Sequence, residues 1–159
     1  MRTLQNWLDA YGESHQNKTN KIIHWICVPV IFFSVLGLLA SIPHGFMLNW
    51  FEGVNEGIVS YFHFGTLVII FALIFYVRLS LLMAAGILCY CILCLVGISF
   101  IENSEPFGLS LVIISLFLFV AAWIVQFIGH RIEGEKPSFL EDIQFLLIGP
   151  AWLMSFIFN

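Results

Sequence analysis

A chain of 159 residues that is 60% hydrophobic and only 10% charged cannot cover a water-facing surface with polar groups. Soluble domains carry about a quarter charged residues, so this one reads as a single lipid-embedded domain, residues 1–159. Six Lys and Arg against ten Asp and Glu, a net charge of -4, leave no basic stripe for a phosphate backbone, and no nucleic-acid partner is expected.

The first element in the chain is amphipathic. Leu4, Leu8, Tyr11 and His15 recur at helical spacing, with Trp7 beside them and polar residues between. This predicts a short interfacial helix on the membrane surface, within a polar segment 1–21. Gly12 is a candidate end for it, which would leave His15 in the following turn. The segment does not read as a cleavable signal peptide, since it lacks an apolar stretch behind basic residues. Thr19 or Asn20 is the expected cap of the next helix.

A spanning helix needs about 20 predominantly apolar residues, and residues 22–42, 58–77, 79–101 and 109–128 meet that requirement. A further run within 143–158 is shorter and interrupted by Gly149-Pro150, so a kinked fifth span and a re-entrant segment both stay open. The predicted fold class is all-α: a polytopic membrane helix bundle of four or five spans with an N-terminal interfacial helix. Cys27, Cys89, Cys91 and Cys94 all lie in apolar runs, where a thiol packs as a small hydrophobe; neither a disulfide framework nor a thiolate zinc site is expected.

With four crossings, Arg2, Lys18, Lys21, Arg78, Arg131 and Lys136 all fall on one side. The opposite loops hold Glu52, Glu56, Glu102 and Glu105 and no Lys or Arg. The distribution predicts a cytoplasmic N-terminus, in a bacterial inner membrane or, in a eukaryote, the endoplasmic reticulum.

Ionisable groups at membrane depth are functional candidates. His15, His24 and His130 belong to the cytoplasmic end. Asn20 and His24, four apart, share a face of the first span, while Gln126, His130 and Glu133 form a stripe down the end of the fourth. His15 and His24 are nine apart and out of phase on one straight helix, but a break within Glu13 to Thr19 would let His15 fold back beside His24. Three imidazoles and a carboxylate converging at an aqueous boundary make a candidate site for iron or zinc. The bland alternative is that these groups only hydrogen-bond helix ends or headgroups. His44 is read as interfacial and His63 as a buried hydrogen-bonding group. The absence of Gly-x-Ser-x-Gly, of His-Glu-x-x-His and of a Gly-rich phosphate loop weighs against the common hydrolase and nucleotide-binding templates. Only Gly149-Pro150 interrupts an apolar run, which weighs against a transporter.

Two motifs are more specific. Tyr11-x3-His15-x4-Asn20-x3-His24, followed by Pro29, and Gln126-Phe127-Ile128-Gly129-His130-x2-Glu133-Gly134-x2-Pro137, with the later Gly149-Pro150, resemble the Mpo-type 2-hydroxy fatty acid dioxygenase family. The resemblance extends over the whole chain, with Ser138 standing where that family's pattern has Ala. It implies an Fe(II)-dependent membrane enzyme of fatty acid α-oxidation that uses O2 to shorten a 2-hydroxy fatty acid by one carbon, without a separate 2-oxo acid. The family's essential histidines map onto His15, His24 and His130, and Glu133 and Asn20 also match motif positions. The expected metal and catalytic set is therefore His15, His24, His130 and Glu133. Asn20, Lys21, Gln126 and Arg131 are expected at the substrate, whose tail would lie among the membrane lipid and the spans. Two other readings compete: a non-catalytic membrane protein that binds lipid or assists assembly, and a zinc-dependent membrane hydrolase.

Overall fold

The computed structural model describes residues 3–48, 53, 55–136 and 145–158; Arg2, Glu52, Pro137 and Ser138 of the sequence reading lie outside them. Helix α1 (Leu4–Glu13) starts at Thr3, whose hydroxyl accepts the Asn6 N–H. It passes Gly12 by one residue, and the chain then turns through Ser14 so that His15 leaves the helix. Helix α2 (Lys18–Ala40) is capped by Asn17 rather than by Thr19 or Asn20. The Asn17 side-chain oxygen accepts from the N–H groups of both those residues, at 2.9 and 3.4 Å, because an N-cap acts on amides two and three positions ahead.

Two one-turn helices, α3 (Gly45–Leu48) and α4 (Glu56–Val59), precede helix α5 (Phe64–Leu79). The apolar run beginning at Ile58 is therefore interrupted: Ile58 and Val59 end α4, and the longer helix begins only at Phe64. His63 caps α5 by accepting the Thr66 N–H, and the Thr66 hydroxyl donates back to the Tyr61 carbonyl, which holds the turn ahead of the helix. Ser80, in extended conformation, links α5 to helix α6 (Leu81–Ser104) and caps it. A 3-10 turn at Pro106–Gly108 leads to helix α7 (Leu111–Glu133), which Gly134 ends in the left-handed region. Helix α8 (Phe145–Phe158) closes the described chain.

Helices α2, α6 and α7 are each long and apolar enough to cross a membrane; α5 and α8 are shorter apolar helices of 16 and 14 residues. Large apolar side chains such as Ile26, Phe71, Leu93 and Phe117 point outward at 64–71% exposure, which only a lipid solvent tolerates at this density. The molecule is an all-helical membrane protein.

Since lipid is as apolar as leucine, helices in it associate through small residues and close packing. That is how α2 meets α7. A Cβ on Gly37 would lie 2.2 Å from the Ser115 Oγ, and one on Gly129 would lie 2.5 Å from the Asn20 Oδ1. The two helices thus run antiparallel and touch near both ends, which brings His24 of α2 to the level of His130 of α7. Gly37→Ala is expected to force them apart and destabilise the protein by about 1–3 kcal/mol, the range for overpacking a tight contact. The double variant with Ser115→Gly should recover most of that loss in a detergent unfolding titration.

Helix α8 does not run down the bundle. Phe145 packs on Trp7 and Tyr11, Trp152 on Tyr11 and His15, and Phe156 on Trp25. A Cβ on Gly86 would meet Phe158, and the Leu147 carbonyl accepts from the Tyr76 hydroxyl. All of these partners sit at the end of the bundle where α2 and α6 begin and α5 finishes. With α1, helix α8 forms a roof over that end.

Candidate metal centre

Under the roof, the three imidazoles of His15, His24 and His130 offer nitrogen atoms that all lie within 4.8 Å of one another. All three side chains are buried, His15 and His24 almost completely. Each comes from a different local device. His24 projects from the first turns of α2, His130 from the last turn of α7, and His15 from the turn after α1, which folds it back over His24. Tyr11 stacks flat on the His15 ring at a centroid distance of 4.2 Å, and Trp152 stands 5.3 Å from it on another side.

The hydrogen bonds settle the tautomers. His15 Nδ1 lies 2.6 Å from the Tyr11 carbonyl and His24 Nδ1 lies 2.9 Å from the Asn20 carbonyl. A carbonyl oxygen only accepts, so both Nδ1 atoms carry the proton and donate, and in the neutral rings both Nε2 atoms carry a bare lone pair. Those two Nε2 atoms face each other at 3.0 Å. Two lone pairs repel at that distance unless a cation or a proton sits between them. Burial opposes the proton: the His15 pKa is pushed down from 6.5 to about 3, chiefly by burial and then by the neighbouring His24. The buried Nδ1 of His130 has no hydrogen-bond partner. Neutral, convergent, unsatisfied imidazole nitrogens fit a divalent metal, whose bonds to histidine are about 2.0–2.1 Å.

One consequence concerns pH. Between about 3 and 6.5 the unfolded chain protonates His15 while the folded, metal-free protein refuses the proton. The unfolded state therefore binds more protons there, and stability falls as pH drops through that window. Thermal melts of metal-free protein are expected to show a Tm that is highest above pH 6.5 and declines toward pH 3.

Glu133 stands apart from the three rings. Its carboxylate accepts from the backbone N–H groups of Gln16, at 2.7 Å, and of Asn17, at 2.9 and 3.0 Å, and from the Asn20 side-chain amide at 2.9 Å. It ties the end of α7 to the turn that carries His15 and to the first turn of α2, where a negative charge also complements the helix dipole. Asn20 is fully buried over Gly129; its side chain holds Glu133 and its carbonyl holds His24.

Gln126 is buried, and its Oε1 lacks a partner. Lys21 is half-buried and Arg131 is exposed at the same end of the bundle. At the far end, His63 is buried as the α5 cap and His44 bonds the Ile42 carbonyl. Sequence reasoning did not single out Trp152, and no spacing signal links it to His15. Tyr11 was visible as the residue one turn before His15, though its role as stacking partner and acceptor was not.

An apolar cavity of about 380 Å³ opens from this cluster into the bundle. His15, His130 and Gln126 line one end of it, and side chains of α2, α5, α7 and α8 line the rest.

A family described as 2-hydroxy-palmitic acid dioxygenase Mpo1-like matches residues 1–159. The chain belongs to the Mpo1-like family. One curated protein similar to it is the 2-hydroxy-palmitic acid dioxygenase MPO1 of Saccharomyces cerevisiae (strain ATCC 204508 / S288c), 28% identical over an aligned stretch of 159 positions that takes in 98% of this chain and 80% of the relative. No solved structure matches. Family membership agrees with both motifs, and the His15, His24 and His130 cluster is the place where those motifs meet in space.

Proposed function

We propose that this protein is an Fe(II)-dependent dioxygenase that shortens 2-hydroxy fatty acids by one carbon. The observation that carries the reading is the pair of bare Nε2 atoms facing each other beside an apolar cavity that His15 and His130 line. A metal-binding donor set and a tail-sized apolar space are the two things that such a substrate demands of a membrane enzyme. The similarity to a protein named as a 2-hydroxy-palmitic acid dioxygenase supplies the chemical class.

His15, His24 and His130 would hold the metal, and bound iron would supply the O2 chemistry that histidine lacks. The protein's own residues do the rest. The Tyr11 and Asn20 carbonyls keep two imidazoles in the tautomer that presents a lone pair. Glu133 acts as a positioning residue through Asn20 and the Gln16–Asn17 amides, leaving the ligand role to the three histidines. The partnerless Gln126 oxygen, beside the cluster, is suited to accept a hydrogen bond from the substrate hydroxyl, and Lys21 and Arg131 attract its carboxylate to this end. The roof of α1 and α8 keeps bulk water away from the reacting head. The positive charges clustered at this end support a cytoplasmic orientation for it.

The test is to purify the chain in detergent, remove metal, reload it anaerobically with Fe(II), and follow O2 uptake and product length with 2-hydroxypalmitate. Stoichiometric iron and an O2-dependent product one carbon shorter are expected. Folded, iron-loaded protein without turnover of any 2-hydroxy acid would overturn the reading. Activity restored by zinc but not by iron would favour a hydrolase instead, since three histidines with an open position also suit catalytic zinc.

A further inference from the structure

The cavity follows the helical register of both helices that carry the metal cluster. On α2 its walls are Val28, Ile31, Phe32 and Val35, which lie four, seven, eight and eleven residues beyond His24. On α7 they are Gln126, Trp123 and Phe119, which lie four, seven and eleven residues before His130. These spacings keep one face of a helix, and eleven residues advance about 16 Å along the axis. The two antiparallel helices therefore present matching stripes that begin at the imidazoles and end together at Val35 and Phe119. Val68, one turn into α5 and 40% exposed, comes from the opposite end of the bundle to line the same cavity. The start of α5 is anchored at that depth, since a Cβ on Gly65 would lie 3.0 Å from the Leu36 carbonyl.

We propose that this cavity is a ruler for the acyl chain, and that Val35, Val68 and Phe119 set the chain length the protein accepts. The inference rests on the 2-hydroxy fatty acid reading above. A chain whose head is held at the histidines runs down the stripe. With C–C bonds of about 1.5 Å, an extended zigzag advances about 1.3 Å per carbon, so a depth of about 16 Å holds roughly a dozen methylenes. Each one buried contributes about 0.8 kcal/mol, or about fourfold in affinity, until the far wall stops it. Beyond that length further methylenes gain nothing.

Two measurements decide the matter. In the first, metal-free protein in detergent displaces a fluorescent fatty acid with 2-hydroxy acids of increasing length. Affinity is expected to rise by about fourfold per methylene and then level off. Val35→Phe and Val68→Phe, approaching the same point from different helices, should both move the plateau to shorter acids, and Phe119→Ala should move it to longer ones. In the second, iron-loaded wild type and variants turn over 2-hydroxydecanoate and 2-hydroxypalmitate in competition. The long-to-short ratio of kcat/KM should fall by about tenfold or more in the two phenylalanine variants and should not fall in Phe119→Ala.

Retained metal content shows that each variant is folded, and the Phe119→Ala arm reads in the opposite direction to any general damage. Plateau and ratio unchanged in all three folded variants would overturn the ruler. Failure of the wild type to turn over any 2-hydroxy acid would sink the functional reading instead, and the displacement series would still decide the ruler.

Discussion

His24→Ala is expected to remove metal and activity together. On the proposed reading, iron per purified chain should fall to about a tenth of wild type or less, and O2-dependent turnover should drop below detection, because the variant deletes one of the three proposed donors and no described carboxylate stands ready to replace it. His15→Ala and His130→Ala should behave alike, measured by metal analysis on detergent-purified protein. The helices should survive: His24 and His130 sit in turns whose packing depends on Gly129, Asn20 and Ile23, not on the imidazoles. A variant that kept full metal occupancy would show that the three rings only pack.

Glu133 gives the second large effect, and the comparison of two substitutions separates its roles. Glu133→Ala removes the acceptor for two backbone amides and the Asn20 side chain at once. The turn that positions His15 and the residue that orients His24 both lose their tether, and metal affinity should fall by about 10–100-fold, the usual scale for losing a partner of a ligand. Glu133→Gln keeps one acceptor oxygen in place. It should recover most of that affinity, as measured by competition with a chelator of known strength. If Glu133 were itself a ligand, the amide would be nearly as damaging as alanine, so equal losses in the two variants would overturn the positioning role.

Much of this protein could be read along the chain. Composition alone required a lipid solvent, because 10% charge cannot clothe a soluble surface. The apolar runs announced the long helices, since a chain in lipid must satisfy its backbone internally and the helix does so within each segment. The stripes Asn20–His24 and Gln126–His130–Glu133 were legible because helical period is a local property, and the break between His15 and His24 could be expected from the same period. The likeness to the dioxygenase family rested on those residues too.

Other features depend on which distant atoms come to share a space, and no local period encodes that. Asn17 rather than Thr19 or Asn20 caps α2, a difference of a few residues that only backbone geometry decides. The Gly149-Pro150 segment left two courses open; contacts with Trp7, Tyr11 and Trp25 lay α8 across one end of the bundle.

Polar residues concentrated at one face were evident from the sequence, and so was the histidine set. The tertiary structure decided which atoms each of them meets. Glu133 is drawn to amide donors more than a hundred residues away in the chain, and two Nε2 atoms are left facing each other because the carbonyls of Tyr11 and Asn20 claim the other nitrogens. Helical period can put a residue on a face and at a depth. Its partner is chosen by packing, here by the close approach of α2 and α7 that Gly37 and Gly129 permit, because hydrogen bonds and lone-pair contacts act over about 3 Å and have no meaning until the helices are in place.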